Sequence, residues 1–237
     1  TDGRLHTSFK IRRAGGETLC LSDADGFIHD RVVLPEIPTN ISYGRTFNEP
    51  TYSASGFFYY DTPSPGRDNS GGFLGYATAP AFTLAPGMYE IDDDTPQLTT
   101  AITIPEGTTV YYTLDGSIPT RDSAQYTGEP IPMIFTTVIR ARAFSDNPLV
   151  YGSDILTGTY LINTYHALPV FSIVCDPDEL WSETDGLLVF GANGVKEAAG
   201  KLPFKNTVYG QFGKIPRPVH VEYYSLDGSQ ILSQDAQ

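Results

Sequence analysis

Several residue types are scarce in this chain of 237 residues, and each scarcity removes a class of function. There are two cysteines, one tryptophan, two methionines and four histidines. Two cysteines cannot make the disulfide lattice of a small secreted scaffold, and a chain this long buries enough surface to fold without one. Cys20 and Cys175 each stand in an apolar, strand-like run, which predicts two separate buried thiols. Spacing alone leaves a single bridge between them open. Basic residues are also few: 15 Lys and Arg stand against 28 Asp and Glu, a formal net charge of −13. Such a surface repels phosphates, so nucleic acid is not an expected partner and an anionic membrane surface is disfavoured. The acidity reads first as solubility. No apolar run is long enough to cross a membrane, and no signal peptide or lipidation motif is present. The opening Thr1-Asp-Gly-Arg4 reads as the interior of a longer chain, so the missing leader leaves secretion open. Long helical patterns are missing too; Val195–Ala199 is short and ends at Gly200.

What is present favours strands. Hydrophobic residues make up 40% and charged residues 18%, as in folded proteins. Tyrosine and phenylalanine are frequent, and glycine and proline are scattered throughout, which predicts many short strands separated by turns. The clearest strand is Val110-Tyr-Tyr-Thr113, running into Asp115-Gly116, a dipeptide that favours a tight hairpin. Pro119 stiffens the exit. The expected return strand is Thr136–Phe144, in which Val138, Arg140 and Arg142 alternate with Ile139, Ala141 and Ala143.

Turn signals divide the chain into four stretches. Residues 1–70 contain strands near 8–12, 17–21, 27–34, 41–45 and 56–60, ending in the breaker-rich Asp61–Asn69. Residues 71–79 form a Gly-rich linker, flexible unless Phe73, Leu74 and Tyr76 dock. Residues 80–163 form a Greek-key sandwich. Residues 164–237 hold an apolar and therefore buried strand at Leu168–Cys175, then a helix start with Asp176 as N-cap and Pro177 at its first position. A strand at Gly186–Gly191, a loop over 192–213 and a final hairpin from Pro218 to Ser233 follow.

Three resemblances fit this division. His6–Ile11, Gly16–Leu21, Gly26–Asp30, Ser42–Arg45 and Thr62–Gly66 resemble the second half of a bacterial lamin-tail domain, an immunoglobulin-like sandwich. Its first strands are absent here, which implies an exposed apolar face and a partner strand from elsewhere. Tyr111–Thr120, Tyr126 and Thr137–Ala143 resemble a chitobiase/β-hexosaminidase C-terminal-type domain, which implies a fibronectin-III-like accessory module without catalytic residues. Leu168–Val174, Leu180–Ser182, Gly186–Gly191, Arg217–Tyr224 and Ser233–Ala236 resemble the entry to the CotH spore-coat family of atypical kinases, whose nucleotide site lies further along than Gln237.

The chemistry-bearing residues form no recognisable catalytic motif. His6, His29, His166 and His220 stand in or beside strands, none in a nucleophile motif. Gly71-Gly72 and Gly191–Gly194 do not make a phosphate cradle. Calcium candidates are Asp23 with Asp25, and Asp92, Asp93 and Asp94, with solvated turns as the simpler reading. Tyr111, Tyr112 and Tyr126 are the candidate carbohydrate-binding residues, although alternation turns half of any such set inward. Tyr59, Tyr60 and Trp181 are further aromatics of this kind. Asn40-Ile-Ser42 is a glycosylation sequon only in a host with that machinery.

The sequence therefore predicts an all-β protein, with tandem immunoglobulin/fibronectin-III-like sandwiches and a short mixed C-terminal segment. It predicts no catalysis within these residues, no cofactor apart from the calcium candidates, and an extracellular or cell-surface location. The leading expectation is a structural or adhesion scaffold, including a surface-filament subunit. The alternatives are a carbohydrate-binding accessory module and an accessory segment of a CotH-like kinase. Expected partners are other modules or copies of itself, and cell-wall polysaccharide, with no direct membrane insertion.

Overall fold

The computed structural model describes residues 9–38, 40–46, 56–184, 186–189 and 216–236. Contacts divide the chain into two units: Thr1–Gly75 with Leu149–Tyr151, and Tyr76–Pro148 with Gly152–Gln237. Described residues form strands and the turns and irregular loops between them, with a single five-residue helix among them.

The first unit is built from hairpins. β1 (Thr18–Ser22) pairs antiparallel with β2 (Ile28–Val33), and β3 (Ser42–Arg45) with β4 (Phe57–Tyr60). The β1–β2 loop closes because Asp23 accepts from the N–H groups of Asp25 and Phe27 (3.1 and 2.9 Å), while Gly26 takes a positive φ of 86°. Arg45 makes a two-armed bond to Asp30, at 2.5 and 2.7 Å. The Gly-rich stretch does dock. Phe73 exchanges two backbone hydrogen bonds with Tyr59, stacks on Tyr151 at 3.9 Å and is 1% exposed. Aromatic burial thus overrides the flexibility that its glycines suggest.

Two expectations fail in this unit. Phe9 and Ile11 lie in no strand and are exposed, and Cys20 is exposed rather than buried. The common reason is that no third strand or second sheet among the described residues covers β1, so Leu19, Leu21, Phe27, Ile28 and Val33 are also exposed.

After β5 (Gly75–Tyr76), the second unit holds β6 (Gly87–Tyr89), β7 (Leu98–Thr100), β8 (Thr108–Thr113), β9 (Ala124–Gln125), β10 (Ile131–Met133) and β11 (Thr137–Ser145). The chain returns to the first unit at β12 (Val150–Tyr151), then re-enters the second with β13 (Leu156–Ile162). A five-stranded sheet runs β6-β13-β11-β8-β9, with β6 and β13 parallel. It faces the β7–β10 pair across a core of Val110, Met133, Ile139, Ala141, Tyr160 and Ile162. Side chains of this size contribute roughly 1.5–3 kcal/mol each on full burial. Small residues let the sheets close: a Cβ on Gly158 would sit 2.6 Å from Pro86 and 2.7 Å from the Phe82 ring. The result is an immunoglobulin- or fibronectin-III-like sandwich.

The C-terminal part of this unit adds a third layer. β14 (Val170–Val174), β15 (Val219–Tyr224) and β16 (Gln230–Ala236) form an antiparallel sheet, with α1 (Pro177–Trp181) after β14. Asp176 caps α1 through the Asp178 N–H at 3.0 Å, as the sequence predicts. The sheet packs on the outer face of β13, so β13 is buried on both sides. The contact is polar. Fully buried Glu222 accepts from the Thr159 N–H (3.2 Å) and hydroxyl, the Tyr224 hydroxyl (2.8 Å) and the Gln230 amide (2.7 Å). Convergent donors are what allow a carboxylate to be buried without a cation.

β14 is less buried than its composition predicts, with Phe171 and Ile173 exposed. It is an edge strand, and its apolar side chains on one face find no cover among the described residues. Leu187, Leu188 and Val189 form a turn rather than the predicted strand, held by Leu187 N–H to Glu179 and Leu188 N–H to Leu180 carbonyls. The predicted 192–213 loop, the Val195–Ala199 segment and His6 lie outside the described residues.

Candidate ligand-binding cleft

The cleft begins at the loop that follows β8. Asp115-Gly116 does not close a two-residue hairpin; it forms the tip of the 114–123 loop leading to β9, which pairs with Tyr111 and Tyr112. Asp115 accepts from the Ser117 hydroxyl (2.6 Å) and N–H (3.0 Å), and those bonds hold its carboxyl below the ordinary 3.8. It is a turn residue and not an acid. Gly116 takes φ +85°, and a Cβ there would come within 3.2 Å of the Cys175 carbonyl. The next anchor is distant in sequence: the Ile118 N–H donates to Asp176 at 2.8 Å. Asp176 therefore caps α1 and also pins the loop.

β11 supplies the central group. Alternation places Ile139, Ala141 and Ala143 in the core and sends Arg140 and Arg142 outward. Arg142 satisfies its guanidinium on the carbonyls of Ser153 (2.8 Å) and Gly152 (3.4 Å). Arg140 does not. It is 7% exposed, donates one bond to the Gly116 carbonyl at 2.9 Å, and its buried Nε has no partner. No carboxylate among the described residues reaches it at ion-pair distance. Burial lowers its affinity for the proton, while the fields of Asp176, Asp235 and Cys175 oppose that effect.

Arg140 lines an open cavity of about 300 Å³ between the sandwich and the C-terminal sheet. Asp176 and Asp235 supply carboxylates to its wall, and Ile118, Ile155 and Val219 supply apolar surface. Asp235 accepts from His220 Nδ1–H at 2.8 Å, and its side chain is 78% exposed.

The residues singled out from sequence are distributed differently. Tyr126 is 4% exposed and belongs to the core, with Tyr112 set edge-on against it. Tyr126 has no exposed face to offer a sugar, and alternation turns Tyr112 inward, where it is half-buried against the core. Tyr111 lies half-buried on the outer face, edge-on to Phe144. Trp181 is exposed. The Asp23 carboxylate is taken by backbone donors and by His29 at 3.0 Å, and Asp92 accepts from Asp94 and Thr95 N–H groups. Asp25, Asp93 and Asp94 are exposed turn residues. Among the described residues no three His, Cys, Asp or Glu side chains gather as a metal ion requires.

His220 is bonded at both ring nitrogens, with Asp235 on one and the Ser233 hydroxyl on the other at 3.0 Å. The pairing of His220 with Asp235 across β15 and β16 brings this trio together. The order resembles a nucleophile–base–acid chain, but an orienting carboxylate acts from a buried position and this one is in water. Cys175 is free, and burial pushes its thiol up from 9.0, reinforced by Glu179 and Asp176, so it is a poor nucleophile.

Sequence reasoning missed Arg140, Asp235 and Glu222. Arg140 carries a readable signal, a charge in a strand whose neighbours are small and apolar. Glu222 carries none, because β15 alternates Val219, Val221 and Tyr223 with His220, Glu222 and Tyr224, and the polar set is the one buried; Asp235 is an exposed carboxylate of β16 that only the pairing with His220 places at the cleft.

Residues 85–150 match the family described as the chitobiase/beta-hexosaminidase C-terminal domain, which is well under half of the chain. The match covers most of the sandwich, including β8 and β11. The comparisons lend no support to the lamin-tail or CotH resemblances on either side. No curated protein and no solved structure matches the chain. No described helix is long and apolar enough to cross a membrane.

Proposed function

We propose that this chain is a non-catalytic accessory segment of an extracellular, carbohydrate-directed protein. The observation that carries the reading is the family match, which falls on the sandwich whose β8–β9 loop and central strand β11 help to build the Arg140 cleft. The described constellations supply binding groups and no activated nucleophile. Co-sedimentation with insoluble chitin, cellulose and peptidoglycan, with reducing ends assayed in parallel, tests it. The expected result is retention on at least one polysaccharide and no release of reducing ends. Failure to bind any glycan, or steady hydrolysis, would sink the reading.

A structural or adhesion scaffold, with a surface filament as one form, is the second reading. The exposed Leu19, Leu21, Phe27, Ile28 and Val33 around the unpaired edge of β1 favour it, with a second copy as the covering partner. Sedimentation velocity across a concentration series tests this; a monomer at every concentration would count against it.

A further inference from the structure

The geometry points to the Arg140 cleft as a subsite for one neutral pyranose ring, bound through a vicinal pair of hydroxyls. The inference rests on the carbohydrate-directed reading and names the site and the group recognised. A guanidinium that is nine-tenths buried costs free energy unless its N–H groups are used. Arg142, two residues along the same face, uses its own on backbone carbonyls, whereas Arg140 makes one bond, to the Gly116 carbonyl, keeps its Nε buried without a partner, and lines a cavity with the rest of its guanidinium.

The charges around the cavity select the ligand. One guanidinium faces two carboxylates, so the wall carries one net negative charge. A simple anion meets Arg140 but is repelled by Asp176 and Asp235, and a cation meets the reverse. A neutral diol satisfies both sets: each hydroxyl accepts from Arg140 and donates to a carboxylate, and such chains of bonds reinforce one another. Asp176 is held in place by the N–H groups of Asp178 and Ile118, which take one lone pair on each oxygen and leave others to accept. Ile118, Ile155 and Val219 meet the C–H face of a ring. A volume of about 300 Å³ is at the low end of ligand pockets, which run from roughly 300 to 1,000 Å³, and suits one ring rather than a chain.

The test is NMR titration of the full chain with methyl glycosides of glucose, galactose, mannose and N-acetylglucosamine, with glycine and inorganic phosphate as competing chemistries. The Arg140 Nε–H resonance and the amides of Ile118, Val219 and Ala236 should shift together and saturate with at least one glycoside. Arg140→Leu should weaken binding by about tenfold or more, the loss expected for a charged hydrogen bond. Asp235→Asn, at an exposed position that leaves the fold intact, should weaken it severalfold. Saturation by glycine or phosphate in place of every glycoside overturns the inference, as does a silent Arg140 Nε–H. If wild type and Arg140→Leu sediment equally with a polysaccharide, the subsite is wrong and the broader reading stands. If neither glycoside nor polysaccharide binds, both fall.

Discussion

Tyr126 shows how one atom separates a core residue from a binding residue. Its ring is buried against Tyr112, and its hydroxyl finds no hydrogen-bond partner. An orphaned buried hydroxyl costs free energy, so Tyr126→Phe should leave unfolding free energy unchanged or raise it by up to about 1 kcal/mol. Urea denaturation measures this; a loss of stability would show that the hydroxyl has a role not visible in the fold. Tyr160 is the opposite case. Its hydroxyl donates to the Leu84 carbonyl at 2.7 Å, and burial pushes its ionisation up from 10.0 to about 12. Tyr224 is raised as well, by burial and then by Glu222. A folded value above the unfolded one means that stability is fully present below about pH 10 and is lost as pH rises toward 12. Tyrosinate absorbance should therefore rise in two steps, the exposed rings first and these two only with unfolding. A single step near pH 10 with the fold intact would contradict their burial.

Elements were legible in proportion to how one-sided their burial is. β8 and β11 have one face in the core, so alternation located both, and the pairing of Arg142 with Tyr111 follows. β13 is covered on both faces and β14 is exposed on one among the described residues, and neither state can be read from hydropathy alone. The helix cap at Asp176 was readable because it is local, whereas the bond from Ile118 to the same side chain spans 58 positions. The cleft escaped for the same reason: its groups come from β11, the loop after β8, the start of α1 and β16. Two substitutions test the elements. Phe73→Ala should destabilise the first unit by about 3–5 kcal/mol, the range for deleting a buried aromatic ring. A change near zero, read by thermal unfolding, would mean that the Phe73–Tyr151 stack does not hold that stretch. Glu222→Gln places an amide where donors converge and should cost about 1–3 kcal/mol. Faster hydrogen exchange in β13 and β15, with exchange in β7 and β10 unchanged, is the pattern expected. Uniform exchange across the second unit would argue that the third layer and the sandwich open together.

For the whole molecule, charge sets the choice of partners. A net charge of −13 should keep heparin and DNA unbound even at low salt, while neutral glycan binding should be almost independent of salt. Heparin retention, or neutral glycan binding that falls steeply with salt, would show that a basic patch governs recognition instead.

The buried Glu222 also sets an order of events during synthesis. Its partner Thr159 lies 63 positions earlier in the chain. At roughly 5–20 residues per second, several seconds separate the appearance of the two on the ribosome. During that interval the outer side of the sandwich lacks β15, and the Arg140 cavity lacks the wall that Val219 and Asp235 supply. The Arg140 cavity is completed by β15 and β16, and a ribosome stalled before β15 would display the sandwich without that wall.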